Sequence, residues 1–266
     1  MFWLLGTVVG AYAVLAILVY LMQDRMVFSG AGRGRGQPLP AVQGVSVETL
    51  AVEDPPLRVR LAVGEPSEPP RGVLLFFVGN GEDLRSGVGW AGDLTGYGVL
   101  TMVPEYPGYG DSDGPPSHRA FMATAERAAA EAARRATALR VPLFVGGSSL
   151  GTFSAVHVAS RGVAERLLLL APPTSVAEVG AQRFPFLPVR TLVRQPFDNL
   201  EPAASVRCPS LVLHGDRDVV VPAEMGERVA AALGGEFILA TGHGHTRDPL
   251  APRGLWGARV RAFLLQ

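Results

Sequence analysis

The stretch "VGGSSLG", Val145 to Gly151, lies between the apolar run "VPLFV" and the helix-like segment "TFSAVHVASR". A strand that turns sharply into a helix leaves almost no room for side chains beside the turning residue, so the residues two before and two after it are tightly constrained. Ser149 has Gly147 at minus two and Gly151 at plus two, whereas Ser148 has Gly146 and Leu150. Ser149 fits such a turn and Ser148 does not. A hydroxyl presented in this way is inert alone. It needs a base to take its proton and an acid to orient that base.

The surrounding pattern supports the turn. "VSVETLAV" and "LRVRLAV" read as a hairpin. Strands are then expected at 72–78, 99–106, 141–145, 165–171, 210–215 and 236–242, and helices at 116–139, 149–161, 222–233 and 254–265. Short continuous apolar strands alternating with helices predict an α/β fold, a mostly parallel central sheet covered by helices on both faces. A 266-residue chain that is 48% hydrophobic can bury such a core. In this class the acid and base follow the serine, in that order, on loops at the carboxyl ends of later strands. "LVLHGDRDVVVP" (211 to 222) supplies an acid loop and "ATGHGHTRD" (240 to 248) a base loop.

Ahead of this body stands "FWLLGTVVGAYAVLAILVYLM", Phe2 to Met22, uncharged throughout and about the ~20 residues that a spanning helix needs. A cleaved signal peptide fits less well, because there is no basic region before the run, the run is too long, and its small-x-small triplet Ala11-Tyr12-Ala13 lies mid-run. A buried soluble helix is the competing assignment. Only the terminal amine precedes the segment while Arg25, Arg33 and Arg35 follow it, which places the body in the cytoplasm. The expected organisation is a single-pass membrane anchor over 1–28, a Gly/Pro-rich linker over 29–44 and a catalytic domain over 45–266.

Several functions are disfavoured. The 24 basic residues are all Arg and are matched by 24 acidic ones, so no global field draws nucleic acid. Gly79-Asn80-Gly81 after a strand could begin a dinucleotide loop, but position 84 is Leu84 and the chain has no Lys for a phosphate-binding loop. The pair His243 and His245 suggests a shared metal, but the H-x-H-x-D-H pattern requires Asp where Arg247 stands. No metal or cofactor is expected. His118 and His157 read as structural, and the lone Cys208 forms no internal disulfide.

Beyond these patterns the chain resembles a known family. "HGDRDVVVP" resembles the H-G-x-x-D-x-x-V-P acid loop of α/β-hydrolase serine hydrolases, and "EYPGYGDSDGPPS" (105 to 117) their Y-x-G-Y-G-x-S-x-G-x-P-S segment. "GNGEDL" (79 to 84) is similar to their oxyanion loop, and "PFDNLEPAASVRCPSLVLHG" to their passage into the acid strand. The likeness runs from about residue 45 to the end, and an apolar segment followed by "QDRMVF" resembles the membrane-tethered abhydrolase-domain branch. It departs at Val78, where the family often has His, which leaves the support of that loop unexplained. The resemblance implies an α/β-hydrolase fold with Ser149, Asp218 and His245 as catalytic residues. Asp216 is left to brace the turn, His243 is left as a neighbour, and the backbone groups of Leu150 and Asn80 form the oxyanion hole.

A cap insertion is expected at about 174–206, where "QRFPFLPVRTLVRQPF" is rich in apolar residues. Some of these complete the core, and Phe184 and Phe186 are candidates for a substrate pocket. A cap above a site tethered at a bilayer points to esters or thioesters of lipid-like or acylated substrates. A serine aminopeptidase and a non-catalytic membrane-bound interaction module remain open alternatives.

Overall fold

The structure, a computed structural model, describes residues 2–266. It opens on helix α1 (Phe2–Val27), followed by a run of turns to Gly36. The hairpin follows as β1 (Val45–Val52) and β2 (Leu57–Gly64), and then β3 (Val73–Phe77), α2 (Leu84–Leu94), β4 (Leu100–Pro104) and α3 (His118–Leu139). The centre is β5 (Leu143–Ser148), α4 (Gly151–Ser160) and β6 (Arg166–Leu170). Beyond them lie α5 (Val176–Arg183), α6 (Val189–Leu192), α7 (Leu200–Ala203), β7 (Ser210–Gly215), α8 (Ala223–Leu233), β8 (Glu236–Ala240) and α9 (Gly257–Leu265).

The eight strands form one sheet in the order β1-β2-β4-β3-β5-β6-β7-β8, in which only β2 runs against the others. The five residues of β3 and the five of β4 are all buried, which is why they read as unbroken apolar runs rather than alternating ones. Helices α3, α4, α7 and α8 contact one another in series on one face. On the other face Arg261 of α9 donates to the Gly96 carbonyl just after α2, and Tyr97 Oη donates to the Leu250 carbonyl.

Every expected strand and helix occurs, with ends shifted by a few residues. Helix α2 is not apparent in the sequence. Its eleven residues include Gly87, Gly89 and Gly92, a composition that disfavours helix. It forms because Asp83 caps it through the N–H groups of Arg85 and Ser86, and because Leu84, Val88, Trp90, Ala91 and Leu94 bury one face on the sheet.

The chain lays β4 on one side of β3 and then crosses to lay β5 on the other. That reversal opens a crevice at the carboxyl ends of β3 and β5, where open α/β sheets bind their ligands.

Candidate active site

Ser149 sits in that crevice between β5 and α4 with φ of +50°, a left-handed conformation rare for a residue with a Cβ. Its N–H donates to the Leu170 carbonyl at 2.9 Å, and its carbonyl accepts from the N–H and hydroxyl of Thr152, so the turn is pinned on both sides. The flanking glycines are required. A Cβ on Gly147 would stand 2.5 Å from the Gly151 carbonyl oxygen, and one on Gly151 would stand 2.1 Å from that of Phe77. The conformation costs about 1–3 kcal/mol and throws the side chain out at the amino end of α4, where the helix dipole favours negative charge.

Asp218 and His245 meet after β7 and β8. His245 Nδ1 donates to Asp218 Oδ2 at 2.6 Å, which leaves Nε2 as the acceptor. The Asp218 side chain is fully buried, with Oδ1 accepting from the N–H groups of Val220 and Val221 at 2.8 and 2.9 Å. A second imidazole approaches it: His214 Nε2 lies 3.3 Å from Oδ2 and 2.9 Å from the Val221 carbonyl. Burial works against the charge on Asp218, but the hydrogen bonds from His214, His245 and Val221 outweigh it and hold the carboxyl well below the usual carboxylate range. Asp216 instead accepts from the Gly242 N–H at 2.7 Å and steadies the base loop, and His243 Nδ1 turns to the Thr241 carbonyl. Ser149 and His245 face one cavity but are not hydrogen-bonded to each other among the described residues.

The loop after β3 supplies the opposite wall, with a Cβ on Gly79 falling 3.6 Å from the Ser149 Cβ. With Val78 in place of His, the loop is held from outside. Tyr106 Oη donates to the Val78 carbonyl at 2.6 Å and Tyr109 Oη to Asn80 Oδ1 at 2.7 Å. Glu82 accepts from the Gly79 N–H at 2.6 Å and from the Trp90 indole at 2.5 Å. These bonds leave the N–H groups of Asn80 and Leu150 without an acceptor among the described residues, and both residues line the cavity. The supporting roles of Glu82, Tyr106, Tyr109 and His214 go unseen in the sequence reading. The tyrosines stand inside a motif already singled out, and that is the signal that could have found them.

The cavity has a volume of about 1060 Å³. Phe184, at the end of α5, lines it. Phe186 does not: it is 57% exposed, and its carbonyl accepts from Tyr12 of α1. The chain turns between the two aromatics, so that they do not line the cavity together, and Leu187 is the residue buried at the turn. His118 packs edge-on to Phe197, and His157 pairs with Glu126 at 2.9 Å, both away from the cavity.

No family model matches the chain. An uncharacterised protein of Mycobacterium tuberculosis is 33% identical over 196 residues, 73% of this chain and 70% of the relative. The α/β-hydrolase domain-containing protein aho-3 of Caenorhabditis elegans is 30% identical across 72% of this chain and 57% of its own length. Lysophosphatidylserine lipase ABHD12 of Danio rerio is 28% identical across 59% and 46%. The chain thus spans about half the length of these two relatives. Among solved structures, the Pyrococcus furiosus esterase Pf2001 superposes with a TM-score of 0.67 over 87% of this chain and 95% of its own, at 15% identity. A membrane phospholipase A that is a bacterial virulence factor superposes with 0.60 over 99% and 98%, at 22% identity.

Proposed function

The chain belongs to the α/β-hydrolase superfamily, and on that premise we propose that it is a membrane-anchored serine hydrolase that cleaves ester or thioester bonds of lipid-like or acylated substrates. The observation that carries the reading is the convergence of a strained Ser149 elbow and a His245–Asp218 pair on one cavity. Lipase and phospholipase names among the similar proteins support the substrate class. Helix α1 is long and apolar enough to cross a membrane and is taken as the anchor, with residues 45–266 as the catalytic domain and 174–206 as its cap. Arg25, Arg33 and Arg35 support a cytoplasmic body.

In the proposed mechanism His245 Nε2 takes the Ser149 proton as Oγ attacks the acyl carbonyl. Asp218 fixes the tautomer through Nδ1 and stabilises the imidazolium. The tetrahedral oxyanion is held by the N–H groups of Leu150 and Asn80, aided by the amino end of α4. His245 then protonates the leaving group, and a water deprotonated by the same nitrogen attacks the acyl-serine and releases the acid. Glu82 is the acidic side chain lining the cavity, and both its oxygens are already engaged by Gly79 and Trp90. Among the described residues no free carboxylate lines the cavity to take a substrate amine, which favours the ester reading over a peptidase.

Labelling the full chain with a fluorophosphonate, followed by a chain-length series of p-nitrophenyl esters, tests this. Ser149→Ala should abolish labelling and Ser148→Ala should retain it. Asp218→Asn should lower kcat by up to ~10⁴ with the fold intact, and Asp216→Asn far less. Labelling lost only in the Ser148 variant would put the nucleophile one residue earlier.

A further inference from the structure

The cavity that holds Ser149 and His245 is not closed by the catalytic body alone. One wall is Val19, Gln23, Met26 and Val27, from the last two to three turns of α1. The wall facing it is apolar too, with Val176, Val179, Val189 and Val193 of the cap. The helix contributing the first wall contains the segment Leu5–Val27, whose mean hydropathy is 2.2. Leu18, Leu21 and Met22 are exposed and do not line the cavity, whereas Met26, though 43% exposed, lies at its rim.

This wall is built rather than incidental. Gln23 is a polar residue directly after an uncharged run, and it is buried at the junction. Its amide donates to the Leu192 carbonyl at 3.2 Å and accepts from the Arg194 N–H at 2.7 Å. Asp24 accepts from Arg194 at 2.8 Å and from Gln195 at 3.0 Å, and the Arg194 guanidinium stacks 5.1 Å from the Tyr20 ring centroid. Higher on the helix Tyr12 Oη donates to the Phe186 carbonyl at 3.0 Å. These polar links join the two surfaces without packing them together, since the apolar stretch of α1 is not buried. Here they stand apart around an open space at the upper end of the size of ligand pockets.

The height of the opening matters as well. Tyr12 lies fifteen residues before Val27, roughly 22 Å along the helix at 1.5 Å per residue. The hydrocarbon core of a bilayer is ~30 Å thick. A cap whose tip meets α1 at Tyr12 therefore stands beside the apolar part of the helix, and the exposed Phe186 ring at that tip has lipid as its natural neighbour.

We infer that α1 is a wall of the acyl-binding cavity as well as an anchor, and that one acyl chain of a bilayer lipid reaches Ser149 sideways, between α1 and the cap. This deepens the ester-hydrolase reading and rests on it for the chemistry, though not for the binding.

The test uses the full chain in vesicles of ether-linked phosphatidylcholine, which offers no carboxylic ester of its own. p-Nitrophenyl palmitate in the bilayer is compared with p-nitrophenyl acetate in solution. Val19→Trp and Met26→Trp fill the wall and should lower the palmitate-to-acetate ratio of kcat/KM at least tenfold. Leu18→Trp and Leu21→Trp, on the open side, should leave it within twofold. An unchanged ratio in the first pair, or an equal fall in both pairs, overturns the inference. An independent readout needs no turnover: a palmitoyl chain bearing a terminal diazirine, photolysed in the same vesicles with Ser149→Ala protein. Adducts at Val19, Gln23, Met26 or Val27 of α1 and at residues 176–193 support the portal. Adducts confined to the open side of α1 overturn it, even if both esters are cleaved. Adducts in the wall with no cleavage by the wild type would sink the hydrolase reading and keep the portal.

Discussion

Glu105 shows how far the support of a site can lie from the residues proposed to do its chemistry. Buried at the end of β4, it accepts from the Leu84 N–H at 2.7 Å through one oxygen and from the Ser112 hydroxyl at 2.8 Å through the other. It thereby ties the start of α2 to the loop whose tyrosines hold Val78 and Asn80. Burial pushes its carboxyl up to about 7 against the pull of these donors. A folded-state value above the unfolded one means that this group's contribution to stability is full at low pH and is lost as pH rises through about 7. The stability of the wild type relative to Glu105→Gln should therefore fall between pH 5 and 8, by on the order of a few kcal/mol, when followed by urea denaturation. A difference independent of pH would mean that the carboxyl stays ionised throughout. Glycine spacing makes the Ser149 turn legible in the sequence, because the clash it avoids is local. Glu82 and Glu105 are opaque there, since the first is held by Trp90 and the second is buried against Gly110, partners that arrive from elsewhere in the fold.

Among the elements, the strands are easily read because those at the centre are buried on both faces. The segment between β6 and β7, the proposed cap, is the least legible part, since its short helices α5 and α6 borrow their partners. Helix α5 has no fully buried residue, and α6 is four residues long with only Val189 buried. Apolar content there cannot distinguish a residue facing the cavity from one facing outward. The structure separates Phe184, at the cavity, from Phe186, at the tip. Phe184→Ala should therefore lower kcat/KM for long acyl esters ten- to a hundredfold while acetate esters lose much less, because burying a Phe contributes ~1.5–3 kcal/mol and a short chain does not reach it. Phe186→Ala should leave chain-length preference in detergent unchanged. Equal losses over all chain lengths in the Phe184 variant would mean that the ring supports the catalytic loops instead.

Across the whole molecule, the segment after α1 does more than its composition suggests. Phe28 is 2% exposed, with its ring 5.2 Å from that of Phe121 and 6.0 Å from that of Phe197. Gly32 donates to the Gly108 carbonyl, and Gly110 donates to that of Arg33, so glycines that suggest slack instead allow close backbone approach. Removal of residues 1–18 should leave a stably folded body, whereas removal of 1–28 should cost an additional ~3–5 kcal/mol, as deletion of a core Phe does. Thermal denaturation of the two fragments compares them directly, and equal stability would show that the aromatic cluster closes without Phe28. The same contacts set a timetable for synthesis. Gln23 finds its partner at Leu192 only after 169 further residues have been made, roughly 8–34 s at 5–20 residues per second. Throughout that interval the seat of the apolar helix in the protein does not yet exist, so on the proposed anchor reading the helix enters the bilayer first and the body completes its fold at the membrane, around a segment already committed there.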